Sequence, residues 1–412
     1  MGWTIRLALL AGAAGVVILA MAEARPPQKV TGPVATYWMS VATTSGMAMG
    51  AGGRPSMGSM MRMGMGGGMG GGDSVRHDLT LQLGSTMPAA GEPKADHMPG
   101  SSPALPLLGP DRTPNAPLRK DPGTPGQEQP RGRMLIYWGC GDHAGPGQPV
   151  VLDFTKLGAG APAMPSSVTV RTDTPPSAGR YASYGEWPNH RSGDRPPSQL
   201  AGLHKVKGNY SPDIQFTLPP DRDYMPALRL DSSGRTAGGA TLLTWQPIAT
   251  ATGYFASLTG ASGNGRGGGD TTIVTWSSSL EKSIVANGLT DYLSPAEVRR
   301  LIAAKIVMPP DQTRCAVPAE VTRDAPMAML MMIAYGEEAN FSDPPRPADP
   351  KVPWNIRWTA KARYKSTAST MLGMPAMGGS ANDGGAGSGQ RDQGTKKKGG
   401  LFGRLKGGII PH

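Results

Sequence analysis

The chain reads as a mainly β protein with one short helix, interrupted by long insertions that supply no core. Three observations predict this. Short runs rich in Val, Ile, Thr, Leu and aromatic residues recur from residue 134 to 372, with the two-residue alternation of half-buried strands. Glycine and proline number 59 and 41 of 412 residues, about twice their usual combined share. Aromatic residues at 6%, charged residues at 17% and apolar residues at 38% are too sparse for one large enzyme core over the whole length and too many for full disorder. The biased segments leave a foldable portion of roughly 250 residues, enough for one or two cores.

Residues 1–24 read as a signal peptide. Arg6 is a short positive start, Leu7 to Ala20 is an apolar run, and Ala20-Met21-Ala22 and Ala22-Glu23-Ala24 both fit small-x-small cleavage. The alternative is an uncleaved anchor, disfavoured by the short run and by Arg25-Pro26-Pro27. No later run reaches the ~18 apolar residues a span requires. The expected location is therefore the periplasm, the outer-envelope surface or the extracellular space, with no transmembrane span after cleavage.

Residues 25–83 carry early strands at Val34 to Thr44 and Asp78 to Leu83, where Leu79, Leu81 and Leu83 share one face. Between them, residues 46–72 hold 8 Met and 12 Gly in 27 positions, with no period and no means of closing a core. Residues 84–133 hold eleven prolines and read as a disordered or polyproline-like linker. The economical arrangement is one β body with two long insertions among its first strands.

The core region, 134–372, resumes with strands at Met134 to Trp138 and Val150 to Phe154. Further strands are expected at 167–171, 204–209, 213–218, 227–230, 240–245, 253–258 and 271–277. A helix over about 294–305 opens at Ser294, with Pro295 at its first position, Glu297 completing a capping box, and Val298, Leu301 and Ile302 on its buried face. Strands follow at 313–317, 327–335 and 357–371. From Gly373 the chain becomes a flexible basic tail, 373–412.

Leu242-Leu243-Thr244-Trp245-Gln246-Pro247, followed by Ala251-Thr252-Gly253-Tyr254-Phe255-Ala256-Ser257, resembles the second and third strands of fibronectin type III and related immunoglobulin-like modules. The resemblance covers about 20 residues. It implies a β-sandwich in which the Trp strand and the Tyr strand face each other from two sheets. Independently, alternation puts Leu243 and Trp245 on one face, ready to pack against Tyr254. No function follows from such a fold.

The Met/Gly tract offers Met57, Met60, Met61, Met63, Met65 and Met69 as soft thioethers, to which His77 and Met87, followed by Asp96-His97-Met98, could add nitrogen and further sulfur donors. In an oxidising compartment such ligands suit Cu(I), and the tract resembles methionine-rich copper-handling segments of envelope proteins. The alternative is a low-complexity loop, since no Met-x-x-Met repeat with interleaved acids or histidines occurs. Cys140 and Cys315 are the only cysteines. In an exported chain an even count points to one disulfide, with two independent thiols or a metal ligand in Cys140-Gly-Asp-His143 as alternatives.

Enzyme signatures are thin. His-Glu-x-x-His, Gly-x-Ser-x-Gly, the phosphate-binding loop and Cys-x-x-Cys are all absent from the sequence. Gly263, Gly265 and Gly268 match Gly-x-Gly-x-x-Gly, but another strand follows, so the segment reads as a hairpin loop. Asp142, His143 and Asp153 form a conceivable acid–base group without a nucleophile, and Asp221 and Asp223 read as turn residues. No catalytic residue and no cofactor is expected.

The formal net charge is +11, and residues 391–412 contribute +5 of it, six basic residues against Asp392. Lys396, Lys397, Lys398, Arg404 and Lys406, interleaved with Leu401, Phe402 and Leu405, suit an anionic lipid or lipopolysaccharide surface; a solubilising tail is the alternative. Nucleic acid is not expected, because no aromatic and basic platform is evident. The expectation is an exported, non-catalytic envelope or extracellular protein, drawn to an anionic surface and binding a glycan, a protein or its own copies. A copper-binding protein is the second reading, and an exported hydrolase with an unrecognised site the third.

Overall fold

A computed structural model describes residues 28–46, 75–100, 102–110, 132–156, 168–189, 191–193, 195–262, 271–282 and 288–373. The early segments form β1 (Val30–Thr31), β2 (Ala35–Gly46), β3 (Arg76–Ser85), β4 (Lys94–Pro99), β5 (Leu105–Leu108), β6 (Gly132–Trp138) and β7 (Val150–Asp153). Next come β8 (Ser183–Trp187), β9 (Gly202–Gly208), β10 (Ile214–Leu218), β11 (Leu230–Arg235), β12 (Thr241–Trp245), β13 (Ala251–Ser262) and β14 (Thr271–Ser277). Helix α1 (Pro295–Ala303), β15 (Arg314–Val317), α2 (Ala319–Asp324), β16 (Ala328–Asp343), β17 (Trp354–Asn355) and β18 (Trp358–Leu372) complete the series. The protein is mainly β. No helix among the described residues is long and apolar enough to cross a membrane.

Thirteen strands join one mixed sheet in the order β10-β9-β4-β5-β8-β3-β2-β18-β16-β13-β14-β6-β7. Strands β11, β12 and β15 make a second sheet, and β1 pairs with β17. Within the large sheet β2–β18 and β14–β6 are parallel, whereas its other neighbours run antiparallel. The early strands thus share a sheet with the late ones, since β2 lies between β3 and β18.

Alternation decides which residues meet. Tyr37, Met39 and Val41 of β2, Leu79, Leu81 and Leu83 of β3, and Ala360, Ala362 and Tyr364 of β18 all enter one apolar core. The sheet does not stay open over this face. Phe216 of edge strand β10 stacks on Phe341 of β16 with centroids 4.9 Å apart and lies 6.1 Å from Tyr37 of β2. Because β10 is far from β2 and β16 in sheet order, these contacts require the β10-β9-β4-β5 wing to roll back over the central strands. On the other half, the three-stranded sheet covers β13. Leu243 and Trp245 are buried as alternation requires, and Trp245 meets the Tyr254 ring at 5.4 Å. The Ile248 N–H donates to Tyr254 Oη at 2.9 Å.

The reverse face of β13 and β16 receives α1. The Ser294 hydroxyl accepts from the Glu297 N–H at 3.2 Å, so Ser294 caps this helix, whereas the Glu297 carboxylate, expected to complete a capping box, accepts from the Arg171 N–H and Arg300 instead. Val298 and Leu301 pack with Phe255, Ile333 and Tyr335. A Cβ on Gly253 would stand 2.9 Å from a methyl of Val298 and of Val307, so only glycine lets the helix sit this close to the strand.

Several expectations need correction. The Pro-rich stretch 84–133 is not all linker: β4 and β5 lie inside it, with Ala95, His97, Leu105 and Leu107 buried by alternation. Of the strand expected at 167–171, the described residues 168–171 form none, because α1 satisfies that backbone with side chains. Glu297 Oε1 accepts from the Arg171 N–H at 2.9 Å and Arg300 donates to the Thr169 carbonyl at 2.7 Å. At 227–230 hydroxyls play the same part. Ser366 accepts from the Leu228 N–H and Ser45 donates to its carbonyl, which delays β11 to Leu230. Strand β8 was not expected at all.

Cys140, just after β6, is disulfide-bonded to Cys315 of β15, with Cα atoms 5.1 Å apart, joining the large sheet to the small one. The bridge closes a separation of 175 residues, for which loop entropy gives about 5 kcal/mol. Cys140→Ser with Cys315→Ser is expected to lower the denaturant midpoint in equilibrium unfolding. Coincident curves would show that the sheets hold together without the bond.

Candidate functional site

Three rows of side chains cross the outer face of the large sheet, opposite the core. In register, Lys361 neighbours Trp38, which neighbours Gln82 and then Glu186; Arg363 neighbours Ser40 and Thr80; Lys365 neighbours Ala42 and Asp78. The alternation that buries Ala360, Ala362 and Tyr364 sends Lys361, Arg363 and Lys365 outward. Tyr292, from the segment leading into α1, completes the group.

Cations and rings alternate here. Lys361 Nζ stands 5.0 Å from the Trp38 centroid and Arg363 Cζ 4.8 Å from it; Arg363 Cζ and Lys365 Nζ each stand 4.4 Å from the Tyr292 centroid. Each contact contributes about 0.5–2 kcal/mol, the larger values applying where water is excluded. Water is largely excluded at the middle, since Trp38 is 8% and Arg363 7% exposed.

The three cations differ in what neutralises them. Lys361 pairs with Asp173 at 2.6 Å and Glu338 at 3.2 Å. Lys365 donates to the Thr290 carbonyl at 3.0 Å. Arg363 donates through Nε to Ser40 Oγ at 2.8 Å, while its Nη groups make no hydrogen bond to any described residue. Burial lowers the Arg363 pKa, with Tyr292, Asp291, Glu338 and Asp173 pulling the other way. Lys365 is likewise lowered by burial and partly restored by Asp291. The arrangement holds a planar donor fork rigidly between two rings, with its Nη edge uncommitted. Such an edge recognises oxyanions.

The structure distributes the sequence-predicted residues elsewhere. His77 lies at the start of β3 and stacks on Tyr224, centroids 4.0 Å apart and planes 3° apart. Met57, Met60, Met61, Met63, Met65 and Met69 lie outside the described residues, as do Lys396, Lys397, Lys398, Arg404 and Lys406. Gly263, Gly265 and Gly268 also fall outside them, and the flanking β13 and β14 pair antiparallel as a hairpin requires. His143 partners Glu320 at 3.1 Å and Asp153 pairs with Lys156 at 3.5 Å. The Asp142 carbonyl accepts from the Ala319 N–H. Asp221 pairs with Arg222, and Asp223 Oδ1 accepts from the Leu200 and Tyr224 N–H groups, both roles of turn residues.

Trp38, Tyr292, Lys361, Arg363 and Lys365 escaped the sequence reading. One signal was present: within a strand, Lys361-Ala-Arg-Tyr-Lys365 places a cation at every second position, which declares a single charged face. Comparison with protein-family models, curated proteins and solved structures finds no match to this chain.

Arg363→Met keeps the side-chain volume and removes a poorly hydrated charge. It is expected to change unfolding free energy by no more than about 1 kcal/mol, because the desolvation cost leaves with the charge. Denaturant unfolding checks this, and a loss of about 3 kcal/mol or more would make the cation a structural anchor.

Proposed function

We propose that this protein is an exported, non-catalytic component of a bacterial cell envelope or its surroundings, a β scaffold attracted to an anionic surface by its basic tail. The observation that carries this reading is the bonded Cys140–Cys315 pair between the two sheets, a cross-link that persists in an oxidising compartment. The apolar run Leu7 to Ala20 with its small-x-small sites supports export, and the cations of residues 391–412 support the anionic surface. The packing of Trp245 on Tyr254 supports reading the second sheet and β13 as an immunoglobulin-like sandwich grafted on the larger sheet. On the folded body, the Arg363 fork is the contact we assign to an acidic glycan or protein partner.

The test is fractionation of cells expressing the full chain and a version ending at Met377, at low and high salt. The full chain is expected in the envelope fraction at low salt and released at high salt, and the truncated chain in the soluble exported fraction at both. Identical distribution of the two would overturn the anchoring role. With the tail removed, Arg363→Met is expected to weaken residual retention on an acidic polysaccharide matrix, whereas unchanged retention would remove Arg363 from the contact.

A further inference from the structure

The rolled half of the sheet has a seam. Among the described residues edge strand β10 has no backbone partner on its outer side, yet it lies against β18 and, through Phe216, against Phe341 of β16. Side chains alone hold this closure. Five rings run from the central strand β2 to edge strand β10 and back to central strand β16: Tyr37 of β2, His97 of β4, His204 of β9, Phe216 of β10 and Phe341 of β16. Their successive centroids are 5.5, 5.0, 5.1 and 4.9 Å apart. A cleft of about 340 Å³ opens along the seam, lined by Gln215, Phe216, Asn340, Phe341, Arg346 and Trp358 among others.

The three polar rings are joined by a hydrogen-bond chain whose direction is set at one end. The Leu200 carbonyl can only accept, so His204 Nε2 carries a hydrogen and donates to it at 2.5 Å. A neutral His204 then accepts at Nδ1, so His97 Nε2 donates across 3.1 Å. His97 Nδ1 therefore accepts from the Tyr37 hydroxyl at 2.8 Å. Tyr37, His97 and His204 are 0%, 0% and 1% exposed, so each of these atoms depends on this chain and not on water.

We propose that this chain is an acid-released latch: protonation of the His97–His204 pair frees the β4-β5-β9-β10 wing and opens the seam. One added proton reverses the chain. His204 becomes a double donor, His97 must donate to Tyr37, and the Tyr37 hydrogen loses its acceptor within an apolar core. A second proton would place two cations on rings whose facing nitrogens are 3.1 Å apart. The other groups acting on the pair are few. Asp223, whose Oδ1 accepts from the Leu200 N–H, pulls His204 upward; Tyr210 faces Tyr37; Phe216 and Phe341 carry no charge. Burial holds both histidines below their ordinary value, His97 the further, and holds Tyr37 protonated. A histidine lowered in the folded state contributes stability that is complete above its unfolded pKa, near 6.5, and is lost as pH falls below it.

The test is hydrogen exchange with mass spectrometry on the full mature protein at about pH 7.5 and pH 5, corrected for intrinsic rates. Peptides covering residues 94–108 and 202–218 are expected to exchange about tenfold faster or more at the lower pH, with those covering 251–262 and 328–335 unchanged. Equal protection at both pH values overturns the latch, and so does an equal rise in all four peptides, which would be general acid unfolding. In His204→Gln the amide still donates to Leu200 and accepts from His97, so the response is expected at lower pH with fewer protons taken up. An unshifted response would overturn the role of His204, and the wild-type comparison stands without the variant.

Discussion

Strand β18 is the element on which both halves of the molecule depend. It takes β16 antiparallel on one edge and β2 parallel on the other, so the last strand among the described residues ties the first long strand to the late ones. Its two-residue period lets one strand serve two environments. Ala360 and Ala362 give the core side a shallow floor, against which the rings of the rolled wing lie, and Tyr364 closes one end. Lys361, Arg363 and Lys365 give the other side its only dense row of cations on a strand of this sheet among the described residues. Removing β18 would expose the edges of β2 and β16. A pairing that waits for both ends of the chain is also a costly one to form, since a long loop must close before the contacts reward it.

Most of the strands were legible because their residues alternate. β2, β3, β12, β14, β15 and β18 were read within a few residues of their bounds, and α1 announced itself through Ser294, Pro295 and Glu297. What failed did so for identifiable reasons. Proline density hid β4 and β5, and in β4 the buried Ala95 is small and the buried His97 polar, so they carry little apolar signal. Residues 168–171 and 227–229 have strand-like composition, but Glu297, Arg300, Ser45 and Ser366 supply hydrogen bonds that a neighbouring strand would otherwise provide. The disulfide partners were legible by count, whereas the roll of the sheet was not, because it rests on rings far apart in sequence. The Arg363 fork was half legible, as a charged strand face without the rings that clasp it.

The two proposed sites share one physical feature, polar side chains buried against aromatic rings. At Arg363 the Nη edge has no hydrogen-bond partner among the described residues. In the histidine chain every atom is satisfied, but only in one protonation state. The first is a recognition device and the second a condition on the fold. The distinction explains why replacing Arg363 by an apolar residue is expected to be mild, whereas acid reaches the seam through two neutral rings.

The most direct measurement of the central claim is native-state hydrogen exchange resolved to peptides of β2, β16 and β18. If β18 unites the two halves, residues 35–46, 328–343 and 358–372 exchange as one slow cooperative group. Exchange of residues 35–46 far faster than residues 328–343 would show that the first strand is a detachable edge, and that the late strands make a core without it.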